Sequence, residues 1–198
     1  MRYVNQKRYP EMPYITCTKP GHPQQERGKT TTIKTSGCGL CSSIMIADRL
    51  LVDYKFDLED AVALSYEIGA NYGTGTARTY FPVFAERMGL RHEMASELED
   101  VKNCLRTGGA VVAHVAGDHG GRVGLFSHVG HYIVVIDEEP DGRFAILDPA
   151  YEPGRYEEEG RKGKVEVKCG YVALCSPEDL HEDTANRQPD AYHLFWRK

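Results

Sequence analysis

Apolar positions in the first half of the chain recur at helical spacing, whereas those in the second half fall in short β-branched runs. Leu40, Ile44, Ala47 and Leu51 stand at i, i+4, i+7 and i+11, which predicts a helix from about Cys38 to Leu51 with Ser36 as N-cap. A second helix is expected from Leu58 to Ile68, capped by Asp57 and stopped by Gly69. A third ends at Met88-Gly89, with Pro82 tolerated in its first turn, where a missing N–H costs little. Ser96-Glu97-Leu98-Glu99 fits a capping box and opens a fourth, which ends at Thr107-Gly108-Gly109.

From Ala110 the pattern is that of strands: Ala110 to Val115, then Gly130-His131-Tyr132-Ile133-Val134-Val135-Ile136-Asp137, then Phe144-Ala145-Ile146-Leu147-Asp148. The last two are joined by the turn-rich Glu138-Glu139-Pro140-Asp141-Gly142, which reads as a hairpin loop. Residues 117–130, rich in Gly and His, read as a mobile loop. Lys164 to Leu174, broken at Gly170, and Tyr192 to Trp196 complete the strands, and Glu157-Glu158-Glu159 reads as exposed loop. Residues 1–30, punctuated by Pro10, Pro13, Pro20 and Pro23, read as irregular after a short extended lead-in from Arg2 to Gln6. Helices first and an antiparallel sheet afterwards imply an α+β fold, expected as a single domain over residues 1–198.

Composition narrows the function classes. A hydrophobic fraction of 41% and a charged fraction of 27% are ordinary for a globular protein. The net charge of −5, with the basic residues near the start scattered among prolines, argues against a nucleic-acid partner. Six cysteines are too sparse for a disulfide scaffold, and Cys104, Cys169 and Cys175 read as buried small hydrophobes. No apolar run approaches the roughly 20 residues of a membrane span, and the start lacks a signal-peptide core. The expectation is a cytoplasmic protein as the chain stands, or a secreted one if a leader has been removed.

The candidate chemistry centres on Cys38 in Thr35-Ser36-Gly37-Cys38-Gly39, directly before a helical pattern. A helix N-terminus and an adjacent imidazolium both stabilise a thiolate. The flanking glycines leave the backbone open to a substrate carbonyl. The midpoint of His131 and Asp148 falls inside the predicted hairpin loop, so an antiparallel register would oppose them with Cβ atoms roughly 4.5–5.5 Å apart on one face. His128 competes with His131 but lies an odd number of residues away and would face the other side. Asp137 competes with Asp148 from the loop end, and Asp148 also suits a cap before Pro149. The remaining histidines read as surface or packing residues. Cys38-Gly39-Leu40-Cys41 is also a C-x-x-C, a redox dithiol or half a zinc site for which His128 and His131 would be the other half. A buried structural cysteine at a tight turn is the plainest alternative.

Tyr3-Val4-Asn5-Gln6, Ser36-Gly37-Cys38-Gly39, Gly130-His131-Tyr132-Ile133-Val134 and Leu147-Asp148-Pro149 together resemble the bacteriocin-processing (double-glycine leader) family of papain-like cysteine peptidases. The resemblance spans most of residues 1–150. It implies a papain-like fold with Cys38 as nucleophile, His131 as general base and acid, Asp148 as its orienter and Gln6 as an oxyanion donor beside the Cys38 N–H. It implies no cofactor and no metal, and a peptide or amide as substrate. The chain departs from the family in having Leu40-Cys41 after the cysteine-glycine pair, which alters the pocket wall. The same residues would serve acyl transfer to an amine if water were kept out, and the fold alone would serve a non-catalytic binding module.

Overall fold

The computed structural model describes residues 1–198. Seven helices and seven strands alternate in part. Short α1 (Gln25–Gly28) and α2 (Ile33–Ser36) precede α3 (Cys38–Leu50), α4 (Leu58–Glu67) and α5 (Tyr80–Arg87). β1 (Leu90–Ala95) and α6 (Leu98–Arg106) follow, then β2 (Ala110–Val115), β3 (His131–Glu138), β4 (Phe144–Leu147), β5 (Glu166–Lys168), β6 (Val172–Cys175), α7 (Pro177–Asp183) and β7 (Tyr192–Arg197). The strands form one antiparallel sheet in the order β1-β7-β2-β3-β4-β6-β5. This is the expected α+β class, with the helices of the first half packed on the sheet. The order is less segregated than expected, because β1 enters the sheet ahead of α6. No helix is long and apolar enough to cross a membrane.

Alternation along the strands divides the interior in two. Ala110, Val112, Tyr132, Val134, Leu147 and Phe195 face α3, α4 and α5. Val111, Ala113, Val115, Ile133, Val135 and Ile146 face α6, α7 and the two loops that carry Phe126 and Tyr156. Helix α3 is buried from Gly39 to Ala47, with only Asp48 and Arg49 exposed near its end. The apolar stripe read from Leu40, Ile44 and Ala47 is therefore one side of a helix covered all round, packed on β2 and β3.

Local signals explain most boundaries. Asp57 and Asp60 cap α4 reciprocally, and Gly69 at φ +66 closes it. Pro82 sits in the first turn of α5. Three expectations need correcting. Ser36 ends α2 and the residue before α3 is Gly37, which supplies no side-chain cap. The capping box at Ser96 does not form, because its hydroxyl accepts the Asp190 N–H at 2.9 Å and no side chain caps α6. Residues 2–5 form no strand, and Gln6–Arg8 make a 3₁₀ turn capped by Asn5.

Candidate active site

Cys38 is the first residue of α3 and is only partly buried. Gly39 lets the helix abut the loop carrying Thr76, since a Cβ there would lie 2.7 Å from the Thr76 Cβ. Thr76 is itself held by Tyr14, whose hydroxyl also meets Ser65 at 2.8 Å. A Gly39→Ala change is therefore expected to cost about 1–3 kcal/mol by overpacking. The readout is the midpoint of thermal unfolding, and an unchanged midpoint would contradict this close approach.

His131 opens β3 and its Nε2 lies 2.7 Å from Oδ1 of Asp148, which directly follows β4. The ring is 5% exposed and the carboxylate 0%, so water competes little for this contact. The two residues do not oppose each other as expected. Val134 pairs with Leu147 and Val135 with Ile146, and extending this register puts Ile133 opposite Asp148. His131 and Asp148 are thus diagonal neighbours two residues out of register, on one face and within reach of their side chains. A bulge between Val135 and Asp137 shifts the pairing by one on the loop side of the hairpin.

Four donors converge on the Asp148 carboxylate. His131 and the Ala150 N–H, the latter at 2.7 Å, meet Oδ1, while the Tyr156 hydroxyl donates to Oδ2 at 2.8 Å and Arg155 Nε stands 3.2 Å from Oδ2. Neither Arg155 nor Tyr156 is legible as a site residue in the sequence, because both reach Asp148 from an irregular segment without periodicity. The N-terminal segment braces the same turn. The Tyr3 hydroxyl donates to the Asp148 carbonyl at 2.6 Å, and the Gln6 N–H donates to the Pro149 carbonyl at 2.7 Å.

The charges are mutually adjusted. Burial pushes the Cys38 thiol up, but a hydrogen bond from His131, its positive charge and the backbone of Tyr132 and Gly39 outweigh burial and hold it below the usual thiol range. Burial pulls His131 down, yet the Asp148 carboxylate and then Cys38 raise it to about 9. Burial pushes Asp148 up, and His131, Arg155 and the Ala150 N–H bring it below the usual carboxylate range. With Nε2 committed to Asp148, Nδ1 is the ring atom left for the sulfur. The three shifts all favour the charged form of each group.

The other candidates have these settings. Gln6 is buried, and its Nε2 donates to the Lys34 carbonyl at 2.8 Å while its Oε1 has no partner. His128 is exposed and bridges Asp118 at 3.0 Å and Glu158 at 3.1 Å. Asp137 is exposed and accepts its neighbour's N–H. Cys41 is fully buried, and burial, followed by the charge of Cys38, pushes its thiol far up. All six cysteines are free, and no group of three His, Cys, Asp or Glu residues is placed to hold a metal. The second half of the zinc site is therefore not assembled. Cys104 and Cys175 are buried, but Cys169 is exposed in the turn between β5 and β6 at φ +51. Loop 117–130, expected to be mobile, is pinned in its middle. Asp183 accepts the N–H groups of Leu125 and Phe126, and Arg155 and Arg161 bind the Phe126 and Gly124 carbonyls.

No protein-family model matches the chain, and no curated protein matches it by sequence. Solved structures do. The peptidase domain of Streptococcus ComA, a bifunctional ABC transporter of a quorum-sensing pathway, superposes with a TM-score of 0.51 at 14% identity over 81% of this chain and 91% of that one. A protein described as a C39-like peptidase from Bacillus anthracis superposes at 0.52 with 12% identity, over 82% and 88%. At such identities the likeness establishes the fold, which is the papain-like fold of those peptidase domains.

Proposed function

We propose that this protein is a cysteine peptidase or amidase that cleaves a peptide or amide bond through a thioester acyl-enzyme. One observation carries the proposal: a partly exposed cysteine opens a buried helix, and the imidazole whose charge draws its thiol down is held by a buried carboxylate at 2.7 Å. The shared fold with peptidase domains supports it, and those neighbours point to a peptide as substrate.

In this reading the Cys38 thiolate attacks the substrate carbonyl carbon. The second Nε2–H of Gln6, the one not given to Lys34, and the Cys38 N–H receive the developing oxyanion. Collapse of the tetrahedral intermediate breaks the C–N bond as His131 gives its proton to the leaving amine. His131, then neutral, removes a proton from water, and hydroxide attack on the thioester releases the acid and restores the thiolate. Asp148 keeps Nε2 protonated and the ring turned toward the sulfur throughout.

The test uses a peptide library read by mass spectrometry. Wild type is expected to cleave a subset, and Cys38→Ala to reduce that cleavage at least about a thousandfold with an unchanged circular dichroism spectrum. Iodoacetamide at pH 6 should label Cys38 ahead of the other five cysteines. Absence of cleavage together with uniform labelling would leave the fold a binding module.

A further inference from the structure

We infer that Arg155 and Tyr156 are positioning residues, holding Asp148 in the orientation that His131 requires and tying it to the loop that leads into His131. The inference deepens the peptidase reading and rests on it. Asp148 is fully buried, so its oxygens take whatever orientation the surrounding donors impose. The Tyr156 hydroxyl can only donate to a carboxylate, at 2.8 Å, and its ring is fixed between Phe126 and Tyr151 at centroid distances of 5.9 Å each. Oδ2 is thereby occupied, which leaves Oδ1 for His131.

Arg155 adds a second constraint. Its Nε stands 3.2 Å from Oδ2 and 3.1 Å from the Phe126 carbonyl, and its Nη1 donates to the Ala150 carbonyl at 3.2 Å. Its Nη2 also donates to the Phe126 carbonyl. One guanidinium therefore joins the residues ahead of His131 to the turn that carries its partner acid. The planar fork makes this three-way contact, which a lysine ammonium does not reproduce in direction.

The charged and titratable groups facing Asp148 are His131 from β3, Arg155 and Tyr156 from the following loop, and Tyr3 from the N-terminal segment. Those facing His131 are Asp148, Cys38 and, across the β2–β3 pair, His114. Donors on Oδ2 share the negative charge that otherwise acts on the imidazolium. Their removal makes the carboxylate a stronger acceptor from His131 and loosens its direction at the same time.

The experiment titrates the His131 ring by NMR in the full chain, with the resonance assigned by its loss in His131→Asn. It also measures the rate of iodoacetamide alkylation of Cys38 at pH 6. Tyr156→Phe and Arg155→Met should each raise the His131 midpoint by about half a pH unit or more and slow alkylation severalfold. Arg155→Lys should restore the midpoint while alkylation stays slow. Should Arg155→Met fail to fold, Tyr156→Phe decides alone, since it removes only a hydroxyl. Lower thermal stability with an unmoved His131 midpoint overturns the inference and makes the two residues structural. The peptidase reading fails separately, in the wild-type background, if Cys38→Ala leaves the His131 midpoint where it was.

Discussion

Asp148→Asn is expected to lose both stability and thiol reactivity, by about 3–5 kcal/mol of unfolding free energy and on the order of a hundredfold or more in peptide cleavage. The reason is a count of donors. Both carboxylate oxygens are acceptors in the wild type, for His131, Ala150, Tyr156 and Arg155. An asparagine amide turns one oxygen into an NH₂ group, so whichever way it faces, donors meet donors and the nearby guanidinium loses its counter-charge. His131 loses the partner that chiefly raises it to about 9, and the thiolate loses its imidazolium in turn. The pH dependence follows. A group whose pKa is raised on folding stabilises fully below its unfolded value of about 6.5 and loses that contribution as pH rises through its folded value. The depressed Cys38 thiol contributes with the opposite sign over the same range, so the test is made in a Cys38→Ala background. There, stability with Asp148 in place should fall between pH 7 and 10 by an amount that the Asp148→Asn variant lacks. Urea unfolding at both pH values measures it, and parallel slopes with and without Asp148 would show that Asp148 does not govern the imidazole.

The second large effect is acid lability from histidines outside the site. His193 is fully buried on β7, with its ring 4.5 Å from that of Phe81 and its Nδ1 3.1 Å from Nε2 of His92. Its own Nε2 has no partner. Burial, then the charges of His92, Arg78 and His114, pull His193 down to about 3, and burial pulls His92 down to about 4. Between those values and the ordinary 6.5 the unfolded chain binds protons that the folded chain refuses, so stability declines as pH falls from about 6.5 toward 3. The loss from His193 is on the order of several kcal/mol at the acid end, a large part of the 5–15 kcal/mol typical of a domain. His193→Leu should flatten the decline between pH 6.5 and 4 in urea titrations. An equally steep decline in the variant would place the acid sensitivity elsewhere.

In the sequence these histidines read only as surface or packing residues, because their pairing joins two strands a hundred residues apart. What was legible was local. The period of Leu40, Ile44 and Ala47 located α3, and the Asp57 and Gly69 signals bounded α4. His131 and Asp148 were paired by hairpin arithmetic that missed the register by two residues, yet an error of two preserves the face, so the contact survived the mistake. β1 escaped notice because only Leu90 and Ala95, at its two ends, are buried, which leaves Leu-Arg-His-Glu-Met-Ala little alternation to see. α7 was readable from Ser176-Pro177, a cap and an N1 proline, but its seven residues are too few for periodicity to mark. Arg155, Tyr156 and the anchoring of loop 117–130 by Asp183 depend on irregular segments meeting in space, which no spacing rule reports.

The bulge in β3 sets how this chain tolerates changes of length. Beyond it, toward the loop, Asp137 faces Ala145 and Glu138 faces Phe144, a pairing of even sum, whereas before it the sum is odd. Excising the unpaired residue Ile136 would make Val135–Ile146 and Asp137–Ala145 consecutive pairs and leave His131 and Asp148 on one face. Residues added beyond Glu138 would only lengthen the connection between the two strands. The bulge and the loop thus both forgive a change of one residue, whereas a single deletion between Tyr132 and Val135 would turn His131 to the opposite side of the sheet from Asp148.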